Sequence, residues 1–242
     1  RSCLVGSEMC IRDSLSAVPN LLDSPFNHSI LKRAQERELL DVHVHDIHAF
    51  GLGKHKQIDD YAYGGGAGMV MMCEPLAQAI ESIPNWEKAD DIIYLAPDGK
   101  TWNQGTANQL SLATHLILIC GHYKGIDERI RTTYVTREVS IGDYVLSGGE
   151  LGAAILVDSI GRLIPGVLNN ESSALTDSFQ DGLLAPPAYT RPETWRDQKV
   201  PEILRSGNAS KIQDWKDEQR EKRTQERLSL IHISEPTRQD RI

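Results

Sequence analysis

The chain alternates short apolar runs with amphipathic segments, and this pattern predicts an α/β fold. Two continuous apolar runs, Asp91–Leu95 and Leu116–Cys120, are typical of strands that are buried on both faces of a sheet. Two longer segments, Gln104–Ala113 and Gly149–Ile164, carry apolar residues at helical spacing. Strands that alternate with helices favour a mainly parallel sheet with helices on both faces.

Shorter elements are predicted on either side of this centre. Helices are predicted at Ser29–Leu39, Glu74–Ile83 and Ile126–Arg131, a strand at Asp41–Ile47, and a loop at Lys54–Tyr63. The strand that starts at Asp91 is expected to end at Pro97, because Pro97-Asp98-Gly99 is a typical turn sequence.

The pattern changes after residue 164, which indicates a second domain. Residues 15–164 are predicted to form the first domain, and residues 165–192 hold four prolines with little periodicity, as expected of a linker or lid. Residues 193–227 are predicted to be a small helical domain. Its main helix is expected to begin after the N-cap residue Asn208 and to run to about Arg223, with Ile212 and Trp215 on its apolar face.

Both ends of the chain read as foreign sequence. Residues 1–14 and 228–242 resemble translations of the two strands of one transposon-type sequencing adapter. We therefore expect both segments to lie outside the fold. Of the four cysteines, this leaves Cys73 and Cys120, far apart in the sequence, which favours a reducing cytosol over a disulfide scaffold.

Composition sets limits on the function. The chain has 242 residues, of which 40% are hydrophobic and 25% charged, as in ordinary soluble globular proteins. No apolar run approaches the roughly 18 residues that span a bilayer, so no membrane partner is expected. The net charge of −8 does not by itself suggest a nucleic-acid-binding protein. Residues 191–227, however, hold ten Lys and Arg against eight Asp and Glu, so a local basic surface is possible.

The strongest candidate for a site is a pair of glycine-marked segments, Cys120–Arg129 and Ser140–Glu150. Each places glycines where a chain leaves a strand, and each keeps a tyrosine beside them. Two such loops side by side would form a pocket lined by backbone, suited to a small polar ligand with a flat ring. Two ordinary tight turns are the alternative.

Other familiar motifs are absent from the sequence. There is no phosphate-binding P-loop, no paired CxxC, no HExxH and no GxSxG, and Gly51-Leu52-Gly53 is only half of a dinucleotide-binding fingerprint. His43 and His45 share one face of a predicted strand. Exposed histidines are favoured over a metal site there, because no third ligand lies at a suitable spacing.

Several blocks of sequence, in order, resemble one family. The chain is similar from about Ser16 to Arg227 to the bacterial tRNA (guanine-37-N1)-methyltransferases, which are knotted methyltransferases of the SPOUT class. The blocks that carry this resemblance are the two glycine segments, Asp59–Met69, Tyr94–Pro97, Arg162–Leu168, Asp177–Leu184, Tyr189–Pro192 and Leu204–Asn208. The resemblance implies a C-terminal trefoil knot in the first domain, an uncommon topology.

The resemblance also implies the methyl donor, S-adenosylmethionine, and the residues that bind it. Backbone groups at strand ends can recognise an adenine edge without charged side chains. The implied donor-binding residues are Tyr94, Leu95, Pro97, Gly121, Tyr123, Gly125, Ile141, Gly142, Asp143, Tyr144, Val145, Leu146, Gly148 and Gly149.

The implied acceptor is N1 of guanosine 37 of tRNA. This nitrogen carries a proton at neutral pH, so a base must remove it as the methyl group arrives. Asp177 matches the family's base, and Arg162 matches the cation that stabilises the negative charge developing on O6. Without the resemblance, an N-capping Asp and a surface Arg would be the better interpretation.

The resemblance further implies a cytoplasmic homodimer that shares its active site between protomers. The tRNA would approach the glycine loop at Gly64, Gly65 and Gly66. The candidates for phosphate contacts are Lys211, Lys216, Arg220, Lys222, Arg223 and Arg227. For each of these taken singly, a solvated helix face is the better interpretation.

The chain departs from the family pattern at both ends and in one loop. His122 and Lys124 stand where many members have Arg and Glu, so the use of magnesium stays open, because Lys124 cannot bind a cation. Residues 9–16 replace the family's first strand, and we expect a weakened edge or an imperfect substitute strand with Cys10 and Ile11 as its only apolar part. The basic tail stops at Arg227, a few residues short.

Three other functions stay open at this point. A related knotted enzyme could methylate a ribose 2′-hydroxyl, without a need for Asp177. A nucleotide- or RNA-binding protein could have kept the pocket and lost the activity. A chain with foreign ends could also fold poorly, and a thermal melt with and without the donor would detect this.

Overall fold

The computed structural model describes residues 9–168 and 177–232. It divides into two compact units, residues 1–174 and 175–242. The expectations for residues 1–8, 169–176 and 233–242, which include most of both adapter-like segments and part of the lid, lie outside the described residues.

The first unit is built on a parallel sheet of five strands, which confirms the predicted α/β class. The strands follow the order β2-β1-β6-β5-β7, and every neighbouring pair is parallel. They are β1 (Cys10–Ser16), β2 (Leu40–Asp46), β5 (Asp91–Thr101), β6 (His115–Cys120) and β7 (Arg137–Ser140). A separate antiparallel pair consists of β3 (Asp59–Tyr61) and β4 (Met69–Met71).

Six α-helices belong to the described part of this unit, besides short 3₁₀ turns at Pro19–Leu22, Ile47–Phe50 and Trp86–Lys88. They are α1 (Asp23–Phe26), α2 (Ser29–Glu36), α3 (Cys73–Glu81), α4 (Gln104–Leu110), α5 (Glu128–Tyr134) and α6 (Glu150–Gly161). Alternate residues of the fully buried strand β6 enter two different cores. Leu116, Leu118 and Cys120 pack with residues of α1, α2, α4 and α6, whereas Ile117 and Ile119 pack with residues of α3 and α5. Helices therefore cover both faces of the sheet, as predicted.

Two of the predicted boundaries are wrong. Strand β5 continues through Pro97 to Thr101, and its pairing with β7 shifts register between Leu95 and Lys100. Proline is tolerated there because the ladder is interrupted by this irregularity. The segment predicted as a loop at Lys54–Tyr63 also contributes β3, which pairs with β4 and makes Gly64–Gly68 the tip of a hairpin.

The prediction for the N-terminal segment is wrong in two respects. Residues 10–14 do not lie outside the fold, and the strand they help to form is not at an edge. Strand β1 lies between β2 and β6, and Cys10 and Leu15 are fully buried in the two cores. A strand in this position pairs on both sides, so β2 and β6 satisfy its backbone N–H and C=O groups. The alternative expectation of an imperfect substitute strand is confirmed, because Arg12, Asp13 and Ser14 are buried in it. Cys10 and Ile11 are not its only apolar part, however, since Leu15 belongs to the same strand.

The buried Asp13 obtains partners from the neighbouring strands. His115 Nε2 on β6 lies 2.8 Å from Asp13 Oδ2, and His45 Nε2 on β2 lies 2.5 Å from Oδ1. Burial raises the pKa of a carboxyl group, but these hydrogen bonds outweigh it and hold the pKa of Asp13 at about 2, below the ordinary 3.8. The resulting stabilisation is present above the ordinary pKa and is lost as the pH falls from about 4 towards 2.

Replacing Asp13 with Ala is expected to lower the free energy of unfolding by about 2 kcal/mol, because two histidines lose a charged acceptor inside the sheet. Urea denaturation at neutral pH measures this. The matched control is Asp41→Ala on β2, whose carboxylate pairs with the exposed His43 at 2.8 Å and should contribute less than about 1 kcal/mol. Equal losses in the two variants would contradict the structural role of Asp13.

The second unit has short elements and one long helix. Thr194–Trp195 and Gln198–Lys199 form a small antiparallel hairpin, and Glu202–Arg205 forms one 3₁₀ turn. The C-terminal helix runs from Ala209 to His232, well past the predicted end near Arg223 and into the adapter-like segment. Its start is confirmed, since Asn208 Oδ1 accepts a hydrogen bond from the Lys211 backbone N–H at 3.1 Å.

Candidate active site

A cleft of about 460 Å³ opens at the carboxyl ends of three adjacent strands, β6, β5 and β7. Its walls are the continuation of β5 after Tyr94, the loop 121–126 after β6, and the loop 140–149 after β7. Ligands of parallel sheets bind at this end of the strands, because loops from neighbouring strands converge there. The two glycine segments identified in the sequence therefore meet in one cavity.

Backbone contacts hold the two loops together. The Gly149 N–H donates to the Gly121 carbonyl oxygen at 2.9 Å, and His122 and Gly148 form an isolated antiparallel bridge. The approach is so close that a Cβ at Gly149 would lie 2.8 Å from the Cα of Cys120. Glycine is required at position 149 because only its missing side chain leaves room for the neighbouring backbone.

The floor of the cleft is formed by the ring of Tyr94, which is almost fully buried. A Cβ at Gly121 would lie 2.8 Å from this ring, so the loop rests directly on it. Burial raises the pKa of the Tyr94 hydroxyl, which therefore stays protonated. The Arg131 guanidinium lies 5.4 Å from the ring centroid.

One wall is fixed by a hydrogen-bonded set of polar side chains. Glu150 at the start of α6 is almost fully buried, and it accepts from the Ser16 hydroxyl at 2.6 Å. Its carboxylate oxygens both lie 2.8 Å from His122 Nε2. Glu150 thereby links the end of β1, the loop after β6 and helix α6, so the cleft has a rigid wall at His122.

The opposite wall carries an ion-pair network. Arg131 on α5 contacts Glu138 of β7 at 2.7 Å and Asp98 at 2.9 Å. The hydrogen bond from Arg131 lowers the pKa of Asp98, and the hydrogen bonds of Glu138 and Asp98 raise the pKa of Arg131. Asp98 and Arg131 are therefore both charged at neutral pH, and the single Arg131 guanidinium is shared between two carboxylates.

Comparison with known proteins assigns the family. The family model described as tRNA (Guanine-1)-methyltransferase TrmD matches residues 11–232. The chain is 56% identical over 212 residues to a tRNA (guanine-N(1)-)-methyltransferase of Christiangramia forsetii, an alignment that covers 88% of this chain and 94% of that protein. This chain belongs to the tRNA (guanine-1)-methyltransferase family. A protein of the same description from Bacteroides thetaiotaomicron is 49% identical over 212 residues, covering 88% of this chain and 94% of that protein.

The predicted donor-binding residues lie together at the cleft. All of them except Asp143 line the cleft. Sequence reasoning missed ten further lining residues, most of which lie between predicted ones in the same three loops. These are Ala96, Asp98, His122, Lys124, Ile126, Arg131, Val139, Ser140, Ser147 and Gly152. Only Arg131 and Gly152 lie on helices, and no local sequence signal could have indicated them.

Arg162, one of the two predicted catalytic residues, is not among the described residues that line the cleft. Arg162 follows the last residue of α6, whereas the cleft lies at the first turns of that helix. The ten residues from Gly152 to Arg162 rise by about 15 Å along the helix axis. Asp177 is half-buried and is the first residue of the second unit that the structure describes.

The predicted RNA-contacting residues differ in solvent exposure and in whether another side chain already binds them. Gly64, Gly65 and Gly66 are exposed at the hairpin tip, all with φ between +80° and +111°. Arg220 is held by Asp181, whose carboxylate oxygens lie 2.6 and 2.7 Å from Nη2. Arg223 is half-buried, whereas the remaining four candidates are exposed: Lys211, Lys216, Lys222 and Arg227.

The two histidines considered as metal ligands differ in exposure. His43 is exposed, as predicted, but His45 is half-buried against Asp13. Within residues 9–168 and 177–232, no group of three or more His, Cys, Asp or Glu side chains is arranged to hold a metal ion. The three cysteines in that part of the chain are free thiols. None of the helices described there is long and apolar enough to cross a membrane.

Proposed function

We propose that this chain transfers a methyl group from S-adenosylmethionine to N1 of guanosine 37 of tRNA. The observation that carries the proposal is the cleft at β5, β6 and β7, in which the predicted donor-binding loops meet in a chain of the tRNA (guanine-1)-methyltransferase family. The matching relatives are described as acting on guanine N1 of tRNA.

The cleft has the chemistry expected of a donor site. Exposed backbone groups of the two glycine loops offer hydrogen bonds to an adenine edge, and Leu95, Ile141 and Leu146 supply apolar surface for its faces. S-adenosylmethionine supplies a methyl group on a positively charged sulfur, so its transfer releases S-adenosylhomocysteine. We further propose that the loops 120–125 and 140–149, joined at Gly121 and Gly149, belong to the trefoil knot of this class.

Asp177 and Arg162 would serve the acceptor. As the N1 lone pair of guanine attacks the methyl carbon, the N1 proton moves to the Asp177 carboxylate. The negative charge that develops on the base as the proton leaves is shared with O6, where the Arg162 guanidinium stabilises it, and completion of the N1–methyl bond leaves the base neutral. A carboxylate and a permanently charged guanidinium are suited to these two roles.

The position of Arg162 supports an active site shared between two protomers. An arginine side chain cannot bridge the roughly 15 Å between the two parts of α6. In a homodimer, one protomer would supply the cleft and its partner would supply Arg162 and Asp177. Light scattering of the purified protein should return twice the mass of the chain.

The tRNA would be bound through the glycine hairpin and the exposed lysines of the second unit, in the cytoplasm. Lys and Arg contacts to phosphates dominate such affinity, so binding should weaken steeply with salt. Magnesium remains open for this chain, because Lys124 replaces the acidic residue that many members carry.

The direct test measures transfer of labelled methyl groups to two tRNA transcripts that differ only at position 37. Label is expected in the transcript with guanosine 37 and not in the one with adenosine 37, because adenine N1 has no proton to lose and no O6. Label in both transcripts would place the target elsewhere, such as a ribose hydroxyl, and would contradict the proposal. Label in neither, despite a donor-induced rise in the melting temperature, would favour a binding protein.

A further inference from the structure

Besides the tyrosines, four side chains that line the cleft are ionisable, and three of them, Asp98, His122 and Arg131, are paired within the protein. Asp98 and Arg131 pair with each other at 2.9 Å, and Arg131 also pairs with Glu138. His122 is bound by the carboxylate of Glu150. Within the part of the chain that the structure describes, Lys124 is the one charged lining residue for which no ion pair is found.

The backbone and stem of Lys124 are nevertheless held in place. Its backbone N–H donates to the Met69 carbonyl oxygen at 3.0 Å. Its side-chain stem lies over Gly68, where an added Cβ would be 2.8 Å from Cγ and 3.1 Å from Cε of the lysine. The lysine therefore lies where the loop after β6 meets the glycine hairpin, at the rim of the cleft, with its ammonium group exposed.

We infer that the Lys124 ammonium group binds the carboxylate of the methyl donor and is a specificity-determining residue for it. This inference rests on the proposed function. The donor carries one carboxylate on its amino-acid part, and Lys124 is the available cation in the cleft that holds Gly121, Tyr123 and Gly125. Pairing would satisfy both charges, and the neighbouring Arg131 cannot substitute because two carboxylates already occupy it.

A phosphate of the tRNA is the competing anion. It is disfavoured because Lys124 lines the same cleft as the proposed donor-binding loops, whereas the glycines proposed to meet the tRNA lie at the exposed hairpin tip, where a Cβ added at Gly64, Gly65 or Gly66 would have no atom within 4 Å. The two sources predict different measurements, since the donor carboxylate is present without any RNA.

The test compares two ligands in calorimetric titrations without tRNA. S-adenosylhomocysteine carries the carboxylate, and 5′-methylthioadenosine lacks the amino-acid part altogether. Lys124→Met removes the charge but keeps the stem that packs on Gly68. We expect it to weaken S-adenosylhomocysteine binding about fivefold and to leave 5′-methylthioadenosine binding unchanged. The matched control Lys124→Arg keeps a cation and should retain most of the affinity.

The other outcomes separate the two proposals. Equal losses for both ligands would indicate a structural role and overturn the inference. Unchanged binding of both ligands, with a raised KM for tRNA, would assign Lys124 to a phosphate and also overturn it. If the unsubstituted protein binds neither ligand, both the inference and the proposed function fail. If it binds S-adenosylhomocysteine and Lys124→Met does not change that affinity, only the lysine contact is refuted.

Discussion

Replacing Asp177 with Asn is expected to lower the rate of methyl transfer to guanosine 37 about a thousandfold. Asparagine has the size and shape of aspartate but cannot take the N1 proton. N1 would then have to attack the methyl carbon while it still carries its proton. The loss should appear in kcat under saturating donor and tRNA. Binding of S-adenosylhomocysteine should be unchanged, because the cleft is lined by residues 94–152 of the first unit.

Asp181 offers a matched control four residues further along the same segment. Its carboxylate is exposed, and the hydrogen bonds from Arg220 lower its pKa, which makes it a poor proton acceptor. Asp181→Asn should therefore change the rate by less than about threefold. If both variants lose activity equally, the segment needs its acidic residues for folding or tRNA binding, and Asp177 is not the base.

The sheet was predictable because its central strands are continuous apolar runs. The run Leu116–Cys120 predicts a short strand buried on both faces, and the structure confirms this prediction. Strand β1 was not predictable from the same rule, since Arg12, Asp13 and Ser14 carry no apolar pattern. What places them in the sheet is the pairing of their backbone with β2 and β6. Of their side chains, Asp13 finds partners in His45 and His115, which are distant in sequence.

The cleft was predictable to the extent that its walls are backbone. Glycines at strand exits mark places where atoms approach the chain closely, so both loops could be identified before the structure was known. The side chains that surround these loops were harder to predict from the sequence, because Arg131 and Glu150 act through contacts with β7 and β1. The separation of Arg162 from the first turns of α6, in contrast, follows from the helix predicted at Gly149–Ile164 and its rise per residue.

Gly149 is the residue whose substitution should damage the cleft most. In Gly149→Ala, the new Cβ would lie 2.8 Å from Cys120 Cα and 3.1 Å from the Gly121 nitrogen. These are backbone atoms next to the central strand, so no side chain can rotate away to relieve the contact. We expect the free energy of unfolding to fall by about 3 kcal/mol. Because relief of the contact would separate the two loops, binding of S-adenosylhomocysteine should weaken about tenfold or more. Urea denaturation and calorimetry measure the two effects.

Gly152→Ala is the matched control for this prediction, since it adds the same methyl group one turn later on the same helix. There the new Cβ would meet only side-chain atoms of Leu95 and Ile141, at 3.4 Å or more, and these are ordinary contacts with side chains that can adjust. Alanine is also favoured over glycine inside a helix by about 0.5 kcal/mol or more. The stability of Gly152→Ala should therefore be equal to or above that of the unsubstituted protein. If Gly149→Ala is as stable as Gly152→Ala, the two loops are not packed as closely as the Gly149–Gly121 hydrogen bond requires, and the cleft does not depend on glycine at position 149.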